Sequence, residues 1–153
     1  MTIELQRPDL LRQACLLASG WKEASDSEKL EVRNPATGEL IGFIPKLGYD
    51  ETTAAIAAAE AALPAWSAKT AHERAVILRR WHGLMLTHQE DLARIMTLEQ
   101  GKPLAEARGE IGYAASFIEW FAEEGKRSDG EILQAPKNGQ HLLVTRQPIG
   151  VCA

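Results

Sequence analysis

Thr97-Leu98-Glu99-Gln100-Gly101-Lys102-Pro103 puts the end of one helix and the start of the next into seven residues. Gly101 is a helix stop, because glycine takes the left-handed C-terminal conformation without a Cβ penalty. Pro103 suits the first position of a following helix, where its missing N–H would have no partner anyway. Upstream, Thr70-Ala71-His72-Glu73 matches a capping box. Ile77, Leu78, Trp81, Leu84 and Met85 then recur at helical spacing. The pattern breaks around His88-Gln89 and resumes through Leu92, Ile95 and Leu98. Downstream, Ile111, Ala114, Ala115, Ile118, Phe121 and Ala122 follow the i, i+3, i+4 pattern of one buried face. Gly125 and Gly130 mark its end.

Farther out, residues 50–63 are alanine-rich and predicted helical, with Asp50 as N-cap and Pro64 ending or kinking the helix. Leu16-Leu17, Leu30–Val32 and Leu40–Ile44 are short apolar segments. The turn Asn34-Pro35-Ala36-Thr37-Gly38 makes residues 29–45 a hairpin. Residues 131–135 and 141–147 read as two strands joined by Pro136–Gln140. After Pro148-Ile149-Gly150, the run Val151-Cys152-Ala153 opens as a further strand. A strand starting there leaves core partners missing, so the residues describe an incomplete α/β or α+β protein.

Composition narrows the classes. The chain has 153 residues, 45% hydrophobic and 25% charged, with net charge -4 and pI near 5.6. That is an ordinary globular profile. Basic residues are scattered, and the pairs Arg79-Arg80 and Lys126-Arg127 fall in helical patterns as solvated faces. Phosphate binding needs clustered cations, so nucleic acid is disfavoured. Two cysteines make no disulfide framework and fit a reducing compartment. The N-terminal stretch lacks a signal-peptide pattern, and no apolar run approaches the ~20 residues of a membrane span. The expected location is cytoplasmic.

Chemistry is sparse. The glycines form neither a dinucleotide-binding G-x-G-x-x-G nor a P-loop. Gly109 and Gly112, inside a helical pattern, point to close helix packing. His72, His82, His88 and His141 have no metal-ligand spacing; His82 and His88 fall on different helix faces. Cys15 and Cys152 sit in apolar surroundings and read as buried structural residues rather than nucleophiles. Trp21, Trp66, Trp81 and Trp120 read as core or interface anchors. Glu99 could bind a cation or cap a helix, against the plainer reading of a solvated helix-end carboxylate. No active site is visible on these grounds.

Four ordered segments resemble the aldehyde dehydrogenase superfamily. They are Val32–Gly38; Leu63-Pro64-Ala65-Trp66 leading into Thr70–Arg74; Thr97–Pro103; and Gln147-Pro148-Ile149-Gly150-Val151. Lys102–Ala107, Gly109-Glu110-Ile111 and Tyr113–Arg127 look most like bacterial NAD(P)-dependent succinate-semialdehyde dehydrogenases. The resemblance covers nearly the whole chain. It implies an α/β fold, of which this is the N-terminal part: a β-hairpin, three helices, a β oligomerisation arm and the start of a Rossmann-like sheet. It divides the chain into residues 1–130, part of the cofactor-binding domain; 131–148, the arm; and 149–153, the first strand of the Rossmann-like half.

The resemblance further implies that the family's nucleophilic Cys, Glu base, oxyanion Asn and cofactor-contacting residues lie beyond Ala153. No catalytic or cofactor-binding residue is therefore assigned here. Two carry-overs remain. Gly109, Tyr113 and Phe117 match the helix face lining the substrate tunnel, although Tyr113 could simply pack. The backbone carbonyl of Arg33 and the carboxylate of Glu99 match a monovalent-cation site, where the family often has the shorter Asp. The implied function is oxidation of an aldehyde, succinate semialdehyde to succinate, with NADP or NAD, by a homo-oligomer. The segment alone is expected to be inactive. The alternatives are a non-catalytic binding or assembly module of the same family, and an enzyme for another semialdehyde such as glutarate semialdehyde.

Overall fold

The computed structural model describes residues 4–152. It contains four α-helices, two short 3-10 helices and three separate antiparallel strand pairs among those residues. β1 (Cys15–Leu17) pairs with β2 (Gly20–Lys22), and β3 (Lys29–Arg33) pairs with β4 (Leu40–Pro45). Helices α1 (Tyr49–Ser67), α2 (Ala71–Thr87), α3 (Gln89–Gln100) and α4 (Leu104–Glu124) follow. β5 (Glu131–Gln134) and β6 (His141–Val144) close the order.

The hairpin expected at residues 29–45 is β3–β4. Its turn is set by Asn34, whose Oδ1 accepts from the Ala36 N–H at 2.9 Å, and by Gly38 at φ 75°. A register shift between Val32 and Arg33 marks where the strand leaves the regular ladder. The β1–β2 pair was only half legible in the sequence, because Gly20-Trp21-Lys22 is too short to show alternation.

Two helix starts depart from expectation. α1 begins one residue after Gly48, so Asp50 lies in the first turn and is not the cap. Glu51 does the capping: its Oε2 accepts from the Gly48 N–H at 3.0 Å. Pro64 lies inside α1, which continues to Ser67. Proline lacks one N–H but offers a carbonyl, and the Ala68 N–H donates to it at 3.0 Å. Pro103 stands just before α4, its carbonyl accepting from Glu106 and Ala107.

The capping box holds. Thr70 Oγ1 accepts from the Glu73 N–H at 3.2 Å, and Glu73 Oε2 accepts from the Thr70 N–H at 2.7 Å. The break at His88 is complete: φ -106° and ψ 18° there separate α2 from α3, giving four helices where three were expected.

α4 packs against both α2 and α3. The buried apolar residues at this junction are mostly small: Ala75, Ala93, Ala107, Ile111, Ala115 and Ala122. Small side chains let helices approach closely, but they bury little area each. Ala114 and Phe121, expected on the buried face of α4, are exposed. All four tryptophans are also exposed, including Trp81 and Trp120. The accessible surface is 11422 Å². A self-contained protein of this mass presents about 7,700 Å². Part of the excess lies on the apolar faces of α2 and α4, where Trp81, Leu84, Phe117 and Trp120 are exposed.

Cys152 is exposed, not buried, and Cys15 is half-buried. The burial expected for Cys152 assumed a strand in a sheet, and Val151 and Cys152 have no strand partner among the described residues. Ala153 lies outside them. Among the described residues no helix is long and apolar enough to cross a membrane.

Candidate functional site

α4 carries the residues expected on a tunnel wall. Gly109, Tyr113 and Phe117 are spaced four apart, so they form one slanting row along the helix. The Tyr113 and Phe117 rings meet edge to face, with centroids 4.8 Å apart and planes at 80°. That geometry sets the positive edge of one ring on the negative face of the other. The pair remains 66% and 46% exposed, respectively. Both rings line an open groove of about 630 Å³, together with Ser116, Trp120, Phe121 and Arg127. Glu119 and Glu123 also border it.

Gly109 extends the row but does not line this groove. A Cβ there would meet nothing within 4 Å, so close helix packing is not its role. Gly112 does face a neighbour: its missing Cβ would stand 3.4 Å from Gln89 Nε2 of α3. Trp120 and Arg127 were not read as groove residues from the sequence. The i+7 relation of Trp120 to Tyr113 was the available signal, hidden by the general tendency of Trp toward cores.

Polar side chains at the groove rim are already paired. Arg127 bonds Glu124, and Glu123 takes both Lys126 and Arg79. Lys126 and Arg79 hold the Glu123 carboxyl below the usual range. His82 Nε2 stands 4.0 Å from Glu119. Among the described residues at this groove no nucleophile–base pair is assembled.

The second candidate lies where β3 meets the end of α3. The Gly101 N–H donates to the Thr97 carbonyl at 2.9 Å, and Gly101 takes φ 76°. A Cβ on Gly101 would stand 2.9 Å from Pro35 Cγ. The Asn34-Pro35 turn thus seats on the helix end, bringing the element with Arg33 against the element with Glu99. The Arg33 side chain is engaged elsewhere, with Glu31 and the Gly38 carbonyl. Glu99 is exposed and lines a shallow groove of about 500 Å³ with Met96, Gln100 and Glu110. Thr97 Oγ1, two residues earlier, is buried without a hydrogen-bond partner, a feature the sequence does not reveal. Among the described residues no three His, Cys, Asp or Glu side chains gather as a metal site. A backbone carbonyl and a carboxylate are the hard oxygen donors that suit a hard cation, though two donors do not complete a shell.

The aldehyde dehydrogenase family model matches residues 21–153. The chain belongs to the aldehyde dehydrogenase family.

Among relatives, it is 58% identical over 151 residues to succinate-semialdehyde dehydrogenase [NADP(+)] GabD of Escherichia coli. It is 54% identical over 151 residues to glutarate-semialdehyde dehydrogenase of Pseudomonas putida. Each alignment covers 99% of this chain, but only 31% and 32% of those relatives. The crystal structure of succinate-semialdehyde dehydrogenase from Burkholderia pseudomallei superposes with TM-score 0.95 at 53% identity, over 97% of this chain and 31% of that one. This aldehyde dehydrogenase chain therefore has the N-terminal segment of the family's fold and spans about a third of its relatives' length.

Proposed function

We propose that the protein to which this segment belongs oxidises a semialdehyde, succinate semialdehyde first, to the corresponding acid with NADP or NAD. The observation that carries this reading is the 58% identity across nearly the whole segment to a succinate-semialdehyde dehydrogenase. Aldehyde, water and oxidised nicotinamide give carboxylate, reduced nicotinamide and protons. The bound nicotinamide would accept the hydride. The groups that would attack the carbonyl and relay protons belong to sequence outside this segment.

This segment's own residues have supporting roles. Gly109, Tyr113 and Phe117 present a wall along which an aldehyde passes, the paired rings supplying apolar contact and water exclusion. The Arg33 carbonyl and Glu99 carboxylate would hold a monovalent cation at the α3 end, fixing the loop before α4. β5 and β6, residues of the 131–148 arm, would add strands across a homo-oligomer interface. Residues 149–153 would form a strand once a neighbouring sheet offers a partner, and 1–130 would pack into the cofactor-binding domain. The cytoplasm suits the acidic charge and the absence of a disulfide framework.

Glutarate semialdehyde is the second reading, favoured by the 54% identity to the Pseudomonas putida enzyme. A panel of aldehydes on protein expressed from the complete reading frame separates these. A buried carboxylate contact should raise kcat/KM for a semialdehyde ~10-fold or more over an uncharged aldehyde of equal length. Preference for the longer chain selects glutarate semialdehyde. Equal turnover of butanal and succinate semialdehyde contradicts both readings.

A further inference from the structure

Asp91 is only 3% exposed and lies in the first turn of α3. A carboxylate there would ordinarily satisfy amides of its own helix. Instead both oxygens face the N-terminal segment. Oδ1 accepts from the Gln6 N–H at 3.0 Å and Oδ2 from the Arg7 N–H at 2.8 Å. Two consecutive amides thus grip one buried carboxylate, 84 residues away in sequence at the nearer. A second tie lies three residues further along α3: Arg94 Nη1 donates to the Glu4 carbonyl at 2.8 Å.

The ties continue into α4. Arg94 Nε donates to Glu90 Oε1 at 3.1 Å. Glu90 also receives Arg108, with Nε to Oε2 at 2.7 Å and Nη2 to Oε1 at 3.0 Å. Arg108 is anchored from α3 a second way, its carbonyl accepting from Gln89 Nε2 at 2.9 Å. Arg108 directly precedes Gly109, the first residue of the tunnel row. One polar relay therefore joins residues 4–7, α3 and the first half of α4. A carboxylate shared by two guanidinium groups fixes direction as well as distance, since each donor fork is planar.

We propose that residues 4–7 form a strap latched by Asp91, and that through Arg94, Glu90 and Arg108 it sets the position of the α4 face carrying Tyr113 and Phe117. The latch stands on the contacts alone; its effect on substrate rests on the tunnel reading above. Asp91 and Glu90 are positioning residues, and neither lines the groove.

The test uses protein expressed from the complete reading frame. Asp91→Asn keeps the shape but turns one acceptor into a donor facing a donor. Amide exchange at Gln6 and Arg7 should then rise ~10-fold or more. KM for succinate semialdehyde should rise about threefold or more with kcat within about twofold, because a displaced wall weakens binding before chemistry. Glu90→Gln cuts the relay beyond the latch, so it should raise KM while Gln6 and Arg7 stay protected. Arg94→Gln carries the same KM expectation with Asp91 intact, so misfolding of one variant leaves the others decisive. Protected Gln6 and Arg7 amides in Asp91→Asn overturn the latch. A released strap with unchanged KM overturns the coupling. Tyr113→Ala separates the two failures: if it leaves KM unmoved, the tunnel reading has failed, and amide exchange still decides the latch.

Discussion

Gly101 joins the two candidate sites, since it ends α3, carries the Pro35 contact and leads into α4. Its φ of 76° is costly for any L side chain, and a Cβ would press on Pro35 Cγ at 2.9 Å. Gly101→Ala should cost about 1–2 kcal/mol from the backbone alone, before the steric contact. A urea melt compared with wild type measures it; an unchanged midpoint contradicts the account. The glycine was legible because a helix stop before proline has a local signature. The Pro35 contact was not, since it joins residues far apart in sequence. Glu90 gives a residue-scale prediction in pH. Its hydrogen bonds from Arg108 and Arg94 lower its carboxyl from the ordinary 4.5 to about 2. A folded-state value below the unfolded one means the unfolded chain takes up the proton first on acidification. The pairing's contribution is therefore present above 4.5, weakens as pH falls, and is lost near 2. Glu90→Gln should flatten the acid limb of stability between those values; a limb as steep as wild type contradicts the pairing.

At the scale of elements, helices with caps and periodicity were readable, and their packed faces were less so. The Thr70 box predicted the start of α2 because both of its hydrogen bonds are local. Phe121 was assigned to the buried face by spacing and Trp120 to a core or an interface by residue type, and both are exposed. Helical period identifies an apolar stripe but not what covers it, and here the alanines take the helix–helix contacts. The β5–β6 hairpin is the clearest case. Ile132 and Leu143 are paired directly and are 77% and 72% exposed. A lone two-stranded ribbon with apolar residues facing water is marginal, and it is an invitation to further pairing. Leu143→Lys alters a largely exposed side chain and leaves the backbone pairing of β5 with β6 in place. In the protein expressed from its complete reading frame it should shift sedimentation toward smaller species. Unchanged assembly sinks the arm reading.

At the scale of the molecule, the surface of 11422 Å² exceeds the about 7,700 Å² usual for a compact chain of this mass. The amphipathic helices carried this in outline, but the area itself depends on packing in three dimensions. Under the proposed function, the segment would offer a tunnel wall, two candidate cation ligands and an arm, around chemistry carried by other residues of the protein.

A scaffold for a semialdehyde dehydrogenase should need the rest of the protein for turnover. The direct measurement is reduced nicotinamide formed from succinate semialdehyde and NADP, by residues 1–153 alone and by protein from the complete reading frame. Steady turnover is expected from the complete protein and none above background from the segment. Turnover by the segment, or none by the complete protein with either nicotinamide, would contradict that expectation.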